Sequence, residues 1–419
     1  MIQPVLQFKH FLRKNPYLRS VIRKVRFALL KNKIAFISNL HSDKKTINPL
    51  LWADPKKIMK VGIGWGKYKK YNKRFKIVRG NWDLNTMPFE HLDVYQAFKL
   101  RFIHGLKWED TSYYKSLLDS ISKGEKLYGI INKEELTKRL ENLDDLFENI
   151  RKYGYKTQQQ LLGDRYNPYF IDEVSVRISR NGEFLFEDGR HRLAIAKILG
   201  LKKIPILVIR RHRDWHLLRE QILYYAKRSR GGKTYQPLTH PDLTDIPSSH
   251  GDIRFNLIRS NLQLKSGSLL DIGANWGYFC HRFEEEGFHC YAVEKSWQNF
   301  YFLNKLRIAE CRRFTAVHTD ILNILEKNEY DVVLALNVFH HFLKTRNDYE
   351  NLIKFLQRLR SKVIFFEPHL TDEAQMLGAF KNFNCEDFVR FVANHTGLRL
   401  CKCIGYGEEG RPLFKMTRS

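Results

Sequence analysis

The clearest pattern in the chain is a series of apolar runs in its last third. "SLLDIG", "HCYAVE", "FTAVHT", "DVVLALN", "KVIFFE", "LRLCKCIG" and "PLFKMT" follow one another, with helical text between the first six and only the short "YGEEGR" before the last. Apolar strands alternating with helices predict an α/β fold: a seven-stranded, mostly parallel sheet covered on both faces, closed by one antiparallel hairpin at its edge. Ligands in such sheets bind beyond the carboxyl ends of the strands.

The first half has a different rhythm. Residues 85 to 160 are mostly helical, and "NKEELTKRLENLDDLFENIRKYG" is the plainest helix, with Asn132 as its cap, one apolar face and Gly154 after its end. "DEVSVRISRNGEFLF" alternates and turns at Asn181-Gly182, which predicts a β-hairpin. "FEDGRHRLAIAKILGLKKIPI" reads as strand end, glycine turn, helix and second strand, and a long helix runs from about Asp214 to Arg228. The Gly-, Pro-, Ser- and His-rich stretch that follows is the expected domain boundary. The expected organisation is a basic arm over 1–80, a helical region over 81–149, an α+β domain over 150–228, a linker over 229–250 and the α/β domain over 251–419.

Charge sharpens this division. The net charge is +27, yet residues 1–80 alone hold 21 Lys or Arg against two acids, whereas 251–419 hold 23 against 20. The basic character belongs to the front of the chain. There "NPYLRSVIRKVRFALLKNK" places Leu18, Val21, Ile22, Val25 and Leu29 at helical spacing, a basic amphipathic helix. It suits an anionic membrane surface, nucleic acid phosphates or packing on the protein itself, and all three stay open. No apolar run is long enough to span a membrane or serve as a signal peptide, so the expected location is cytoplasmic, with peripheral attachment through residues 1–40 at the inner membrane surface as an extension. The six cysteines form no CxxC pair, and reduced, buried thiols with no metal site are expected. "GGKT" at 231–234 lacks a preceding strand and has Lys227 where a phosphate loop needs its first glycine.

The segment "DIGANWG" closes the first predicted strand of the C-terminal half. With the strand pattern around it, it resembles the class I S-adenosylmethionine-dependent methyltransferases over nearly all of 251–419, a Rossmann-like fold. The resemblance implies a cofactor site of Asp271, Gly273, Ala274, Asn275 and Gly277, where small residues let the cofactor lie against the backbone. It implies that Glu294, 23 residues beyond Asp271, accepts the ribose hydroxyls, and that Asp320 contacts the adenine amino group. The G-x-G-x-x-G spacing of a dinucleotide turn is absent. In "ALNVFHHFLK", Asn337, His340 and His341 match the segment that lines the transfer site in this family. The resemblance makes them the candidate catalytic residues, with a histidine as the base, Asn337 also touching the cofactor, and Glu367 of "FFEPH" on the same rim. A structural role for the histidines stays open, since orientation alone accelerates an in-line methyl transfer. The motifs of the amino-group and cytosine-5 DNA methyltransferases do not occur.

"DGRHRLAIAKILGLKKIPI" resembles the phosphate-binding region shared by ParB-type, sulfiredoxin and free-serine kinase domains, over about residues 150–215. The resemblance implies that Asp188, Gly189, Arg190, His191 and Arg192 form an anion site of backbone N–H groups and a charged His/Arg pair at a helix N-terminus. Sulfiredoxin's cysteine is missing. Three uses stay open: anchoring the phosphate of a methyl acceptor, binding a nucleotide such as ATP or CTP, or scaffold with Arg190 and Arg192 in salt bridges. The expected function is therefore methyl transfer to a small-molecule, glycan or lipid-linked acceptor bearing phosphate. A bifunctional kinase–methyltransferase and an RNA-binding methyltransferase are the alternatives.

Overall fold

The computed structural model describes residues 48–63, 76–125, 130–165, 172–323 and 329–418. Most of the basic arm, with the amphipathic helix expected in it, lies outside the described residues. The chain divides into two compact units. One is built from the described residues before 76 with 86–176 and 186–209, the other from 76–85, 177–185 and 210 onward.

The first unit combines helices with short antiparallel strands. Leu50–Ala53 pairs with residues 204–207, and Lys60–Gly62 with Thr86–Pro88. The helix Lys133–Tyr153 starts at Asn132, whose side chain accepts the Glu135 N–H, and ends at Gly154 (φ 75°), as its sequence predicts. Its buried Phe147 stacks on Phe102 of the helix Asp93–Phe102 with ring centroids 3.9 Å apart.

The second unit carries the seven-stranded sheet: β1 (Gly267–Ile272), β2 (Phe288–Glu294), β3 (Thr315–His318), β4 (Glu329–Leu336), β5 (Arg360–Glu367), β6 (Leu400–Tyr406) and β7 (Pro412–Thr417). Their order is β3-β2-β1-β4-β5-β7-β6, and β7 runs antiparallel to both neighbours. The predicted hairpin is present, with its last strand tucked between β5 and β6 rather than at the outer edge. Alternation explains why the central strands read as continuous apolar runs. Leu270, Val333, Ile364 and Phe366 enter one core cluster, while Leu269, Val332, Val363 and Phe365 enter the other. Helices Arg346–Arg358 and Cys385–Thr396 supply the first cluster; Ile253–Asn261 and Tyr278–Glu285 supply the second. With both faces covered, the central stretches of these strands are apolar on both sides, and their polar residues fall toward the ends.

Two expectations need correction. Residues 229–250 are a packed strap, not a free linker. Thr234 N–H donates to Pro247 O at 2.8 Å, and the buried Asp242 accepts Arg211 Nε at 3.0 Å and Trp215 Nε1 at 2.9 Å. Its glycines and prolines shape turns, and its polar residues are consumed by buried partners. The thiols are not uniformly buried either: Cys280 and Cys290 are, but Cys401 and Cys403 on β6 are exposed, because β6 is the edge strand of the sheet. The hairpin turn at Asn181-Gly182 is as predicted. Gly182 (φ 94°) lies so close to Trp215 and Ala309 that a Cβ there would stand 2.5 Å from each.

Among the described residues no helix is long and apolar enough to cross a membrane, and no group of side chains is arranged to hold a metal ion.

Candidate active site

The carboxyl ends of β1, β2 and β4 gather most of the predicted cofactor residues. After β1 the chain reverses through Gly273 (φ 70°), Asn275 (φ 53°) and Gly277 (φ 83°), all left-handed. Gly273 and Ala274 N–H both donate to Val293 O, at 2.9 and 3.0 Å, so the turn is pinned to the end of β2. A side chain at Gly273 would meet Val338 Cγ2 at 2.9 Å. Asn275 tolerates its backbone angles because its Oδ1 accepts the Trp276 N–H at 2.9 Å.

Glu294 closes β2. Its Oε2 accepts the Asn275 N–H at 2.8 Å and its Oε1 accepts the Ser296 N–H at 2.7 Å. The Asn299 side chain also hydrogen-bonds this carboxylate, which with about four acceptor positions keeps capacity for a further donor. Asp320 follows β3; its Oδ2 pairs with Lys295 at 2.7 Å, and its Oδ1 accepts the Leu322 N–H at 3.1 Å.

Asp271 is 3 % exposed and accepts the Cys280 thiol at 3.8 Å. Burial, then the nearby Glu294 charge, pushes its pKa up to about 7. A buried carboxyl at the end of β1 fits the ammonium end of the cofactor, and the Glu294 carboxylate fits a ribose diol.

The predicted transfer residues follow β4. Asn337 (φ 52°) donates its backbone N–H to Glu367 O at 3.0 Å, and its buried side-chain Oδ1 has no hydrogen-bond partner. His340 is 1 % exposed, and its Nε2 lies 3.1 Å from Gln375 Oε1. Gln375 directs its amide nitrogen at Glu373, so its oxygen faces the ring and His340 must carry its proton on Nε2. Nδ1 is then an unprotonated, buried acceptor without a partner. Burial first, then His341 and His369, lowers the His340 pKa to about 3. The ring is neutral at physiological pH and is a far weaker base than an ordinary histidine. His341 is exposed and packs on it with centroids 4.0 Å apart.

Sequence reasoning missed Arg254, which comes from the helix preceding β1. Its buried guanidinium donates to Glu367 Oε2 at 3.1 Å and lies over the rings of Tyr235 and Phe279. Glu408 holds the loop after β6 against the same region by accepting Gly251 N–H at 2.8 Å. No local signal announces a pair 113 residues apart in the chain.

In the first unit, Gly189 (φ 88°) opens the helix Arg190–Ile198, and exposed Asp188 accepts its N–H at 2.8 Å. Arg192 donates to Asp172, at 3.0 Å for Oδ1, and lies 3.9 Å from Glu173. His191 stacks on Phe98 and lies 3.5 Å from the Tyr113 hydroxyl. The expectation of a charged histidine is corrected: burial first, then Arg190, Arg139 and Arg192, lowers its pKa to about 3.

Residues 210–393 match the family described as "Methyltransferase domain". This segment is similar to methyltransferase domains, which supports S-adenosylmethionine-dependent methyl transfer. The match spans the helix Arg213–Arg230, the strap and the sheet through β5. None of the curated proteins matches the chain. Among solved structures, monomeric WbdD is 18 % identical with a TM-score of 0.36, covering 44 % of this chain and 46 % of its own. Another WbdD structure, described as a bifunctional kinase-methyltransferase, gives 18 % and 0.37 over 44 % of each chain. PH0226 from Pyrococcus horikoshii OT3 gives 15 % and 0.34, covering 47 % of this chain and 98 % of its own. The chain thus spans less than half the length of WbdD, and likenesses of this size say nothing about its substrate.

Proposed function

We propose that the chain transfers a methyl group to a small-molecule, glycan or lipid-linked acceptor bearing phosphate, with Asp271, Gly273, Ala274, Asn275, Gly277, Glu294 and Asp320 holding S-adenosylmethionine. The observation that carries this reading is the pair of buried carboxyls, Asp271 and Glu294, joined by the left-handed turn at 273–277. The cofactor supplies a methyl group already activated by its sulfonium, so the protein's task is alignment. Asp271 takes the ammonium, and Glu294 takes the ribose hydroxyls. Asn337 Oδ1 and His340 Nδ1, both buried acceptors, accept a hydrogen bond from the acceptor's hydroxyl or amine and orient its lone pair. With its pKa near 3, His340 acts as an orienting acceptor, and His341 or water removes the proton.

The Asp188–Arg192 turn is the phosphate element of this reading. The engagement of Arg192 with Asp172 and Glu173 favours a second one, in which the turn is scaffold: an incoming phosphate would have to draw the guanidinium from its carboxylates. Nucleotide binding at the turn, and RNA binding through the basic arm, are the other uses that remain as proposals.

Calorimetric titration of the intact chain with S-adenosylhomocysteine, ATP, CTP and inorganic phosphate separates these readings. Binding of the first is expected, and its absence overturns the assigned cofactor residues. Phosphate or nucleotide binding lost in Arg192→Ala supports an anion site, and no binding of any of the three leaves the turn as scaffold.

A further inference from the structure

Beyond the sheet's carboxyl edge, the second unit has an aromatic bowl that the methyl-transfer reading does not use. Tyr224 and Tyr225 of the helix Arg213–Arg230, with Trp297, Tyr301 and Phe302 of the helix Trp297–Ala309, line an open cavity of about 490 Å³. That volume falls within the ~300–1,000 Å³ of small-ligand sites. Trp297 is 67 % exposed and Tyr224 62 % exposed. Folding gains little from large aromatic faces left in water, so such a cluster points to a ligand.

The geometry selects among ligands. The rings form a curved wall, not a parallel slot: Tyr225 and Phe302 are inclined by 57° and Tyr301 and Phe302 by 71°. A flat nucleobase stacks best between parallel faces, whereas a pyranose presents a puckered C–H face that follows a curved aromatic surface. Two amides, Gln221 and Gln298, share the lining, and Gln221 Oε1 accepts the Tyr301 hydroxyl at 3.0 Å. Amides and phenols match the hydroxyls on a sugar's edge, and a lipid tail would have no use for them.

The rim adds charge. Arg228 donates to the Tyr224 hydroxyl at 2.6 Å and lies over its ring, Lys305 lies over Tyr301, and the last turn of the first helix also holds Lys227 and Arg230. Of that helix's two acids, Asp214 lies in the first turn, 3.6 Å from His212, and Glu220 faces His216 at 3.3 Å. The floor continues into the cofactor turn, since Phe302 and Tyr225 both pack on Trp276, at 4.5 and 5.6 Å.

We infer that this bowl is a binding site for a saccharide carrying an acidic substituent. The inference is independent of the residues proposed for methyl transfer. The test uses the intact chain on a broad glycan array, followed by tryptophan-fluorescence titration with the acidic oligosaccharide bound best. Maltohexaose serves as the neutral control and poly(U) as the nucleic acid control. Expected are binding of acidic over neutral saccharides and weakening of tenfold or more in Trp297→Ala and Tyr224→Ala. Arg228→Gln should lose the acidic preference, while S-adenosylhomocysteine affinity and melting temperature stay unchanged in all three. Absence of saccharide binding, saccharide binding that survives Trp297→Ala, or binding of poly(U) in its place overturns the assignment.

Discussion

Glu294 Oε2 accepts the backbone N–H of Asn275 at 2.8 Å, which ties the end of β2 to the glycine turn after β1. One carboxylate thus shapes the turn and keeps acceptor capacity for a ligand. Glu294→Gln preserves the shape but replaces charge-assisted bonds, each about 1.5–3 kcal/mol, with neutral ones nearer 1 kcal/mol. S-adenosylhomocysteine affinity should fall by about ten- to hundredfold with a modest drop in melting temperature, read by calorimetry and thermal melts. Unchanged affinity would remove Glu294 from the site.

Asp271 gives the pH dependence. Its pKa in the folded chain, raised to about 7, lies above the ~3.9 of an unfolded aspartate. Its contribution to stability is therefore greatest below about pH 4 and is lost as pH rises toward 7. Binding runs the other way, because an ammonium prefers the ionised carboxyl. S-adenosylhomocysteine should bind about tenfold more weakly per unit of pH below 7 and level off above it. Asp271→Asn should flatten that profile, and a wild-type affinity independent of pH would show that Asp271 does not hold the ammonium.

Gly273→Ala faces two obstacles, a φ of 70° and a methyl 2.9 Å from Val338 Cγ2. Left-handed backbone in a residue with a side chain costs about 1–3 kcal/mol. The variant should melt lower and lose cofactor-analogue affinity together. Ala at Gly410, which has φ 75° but no atom within 4 Å of an added methyl, is the control for backbone strain alone.

His340 should not titrate between pH 5 and 8, since its pKa lies near 3. Long-range nitrogen–proton correlation spectra should show the Nε2–H tautomer throughout. Gln375→Leu should remove the partner that selects this tautomer. An imidazolium signal appearing near pH 6 would restore His340 as an ordinary general base.

The methyltransferase half was legible because its signals are local. Strands buried on both faces appear as uninterrupted apolar runs, and Asp271, the glycine turn and Glu294 fall within 24 residues of one another. The rest depends on contacts between distant positions. Gln375 sets the His340 tautomer from 35 residues away, and Phe98 stacks on His191 from 93 residues away. The strap at 229–250 misled for the same reason: its composition is that of a linker, while the partners that fix Asp242, Arg211 and Trp215, lie before it in the chain.

Arg254 and Glu367 make the strongest test of that long-range architecture. The two side chains are 3 % exposed each, with Nη1 and Oε2 3.1 Å apart. Burial pushes the Glu367 carboxyl up even with Arg254 and Arg411 beside it, so the pair is held by mutual compensation. Removing one partner of such a pair costs about 3–5 kcal/mol, because the other is left charged and buried, whereas replacing both with apolar residues of similar volume is often neutral. Arg254→Met should therefore lower stability strongly in urea melts, and Arg254→Met with Glu367→Leu should recover much of the loss. The Arg254→Met loss should shrink as pH falls and Glu367 becomes protonated, because the carboxyl then no longer needs a cation. A double variant no more stable than Arg254→Met would mean that the guanidinium stabilises the unit through its stacking on Tyr235 and Phe279 rather than through the ion pair.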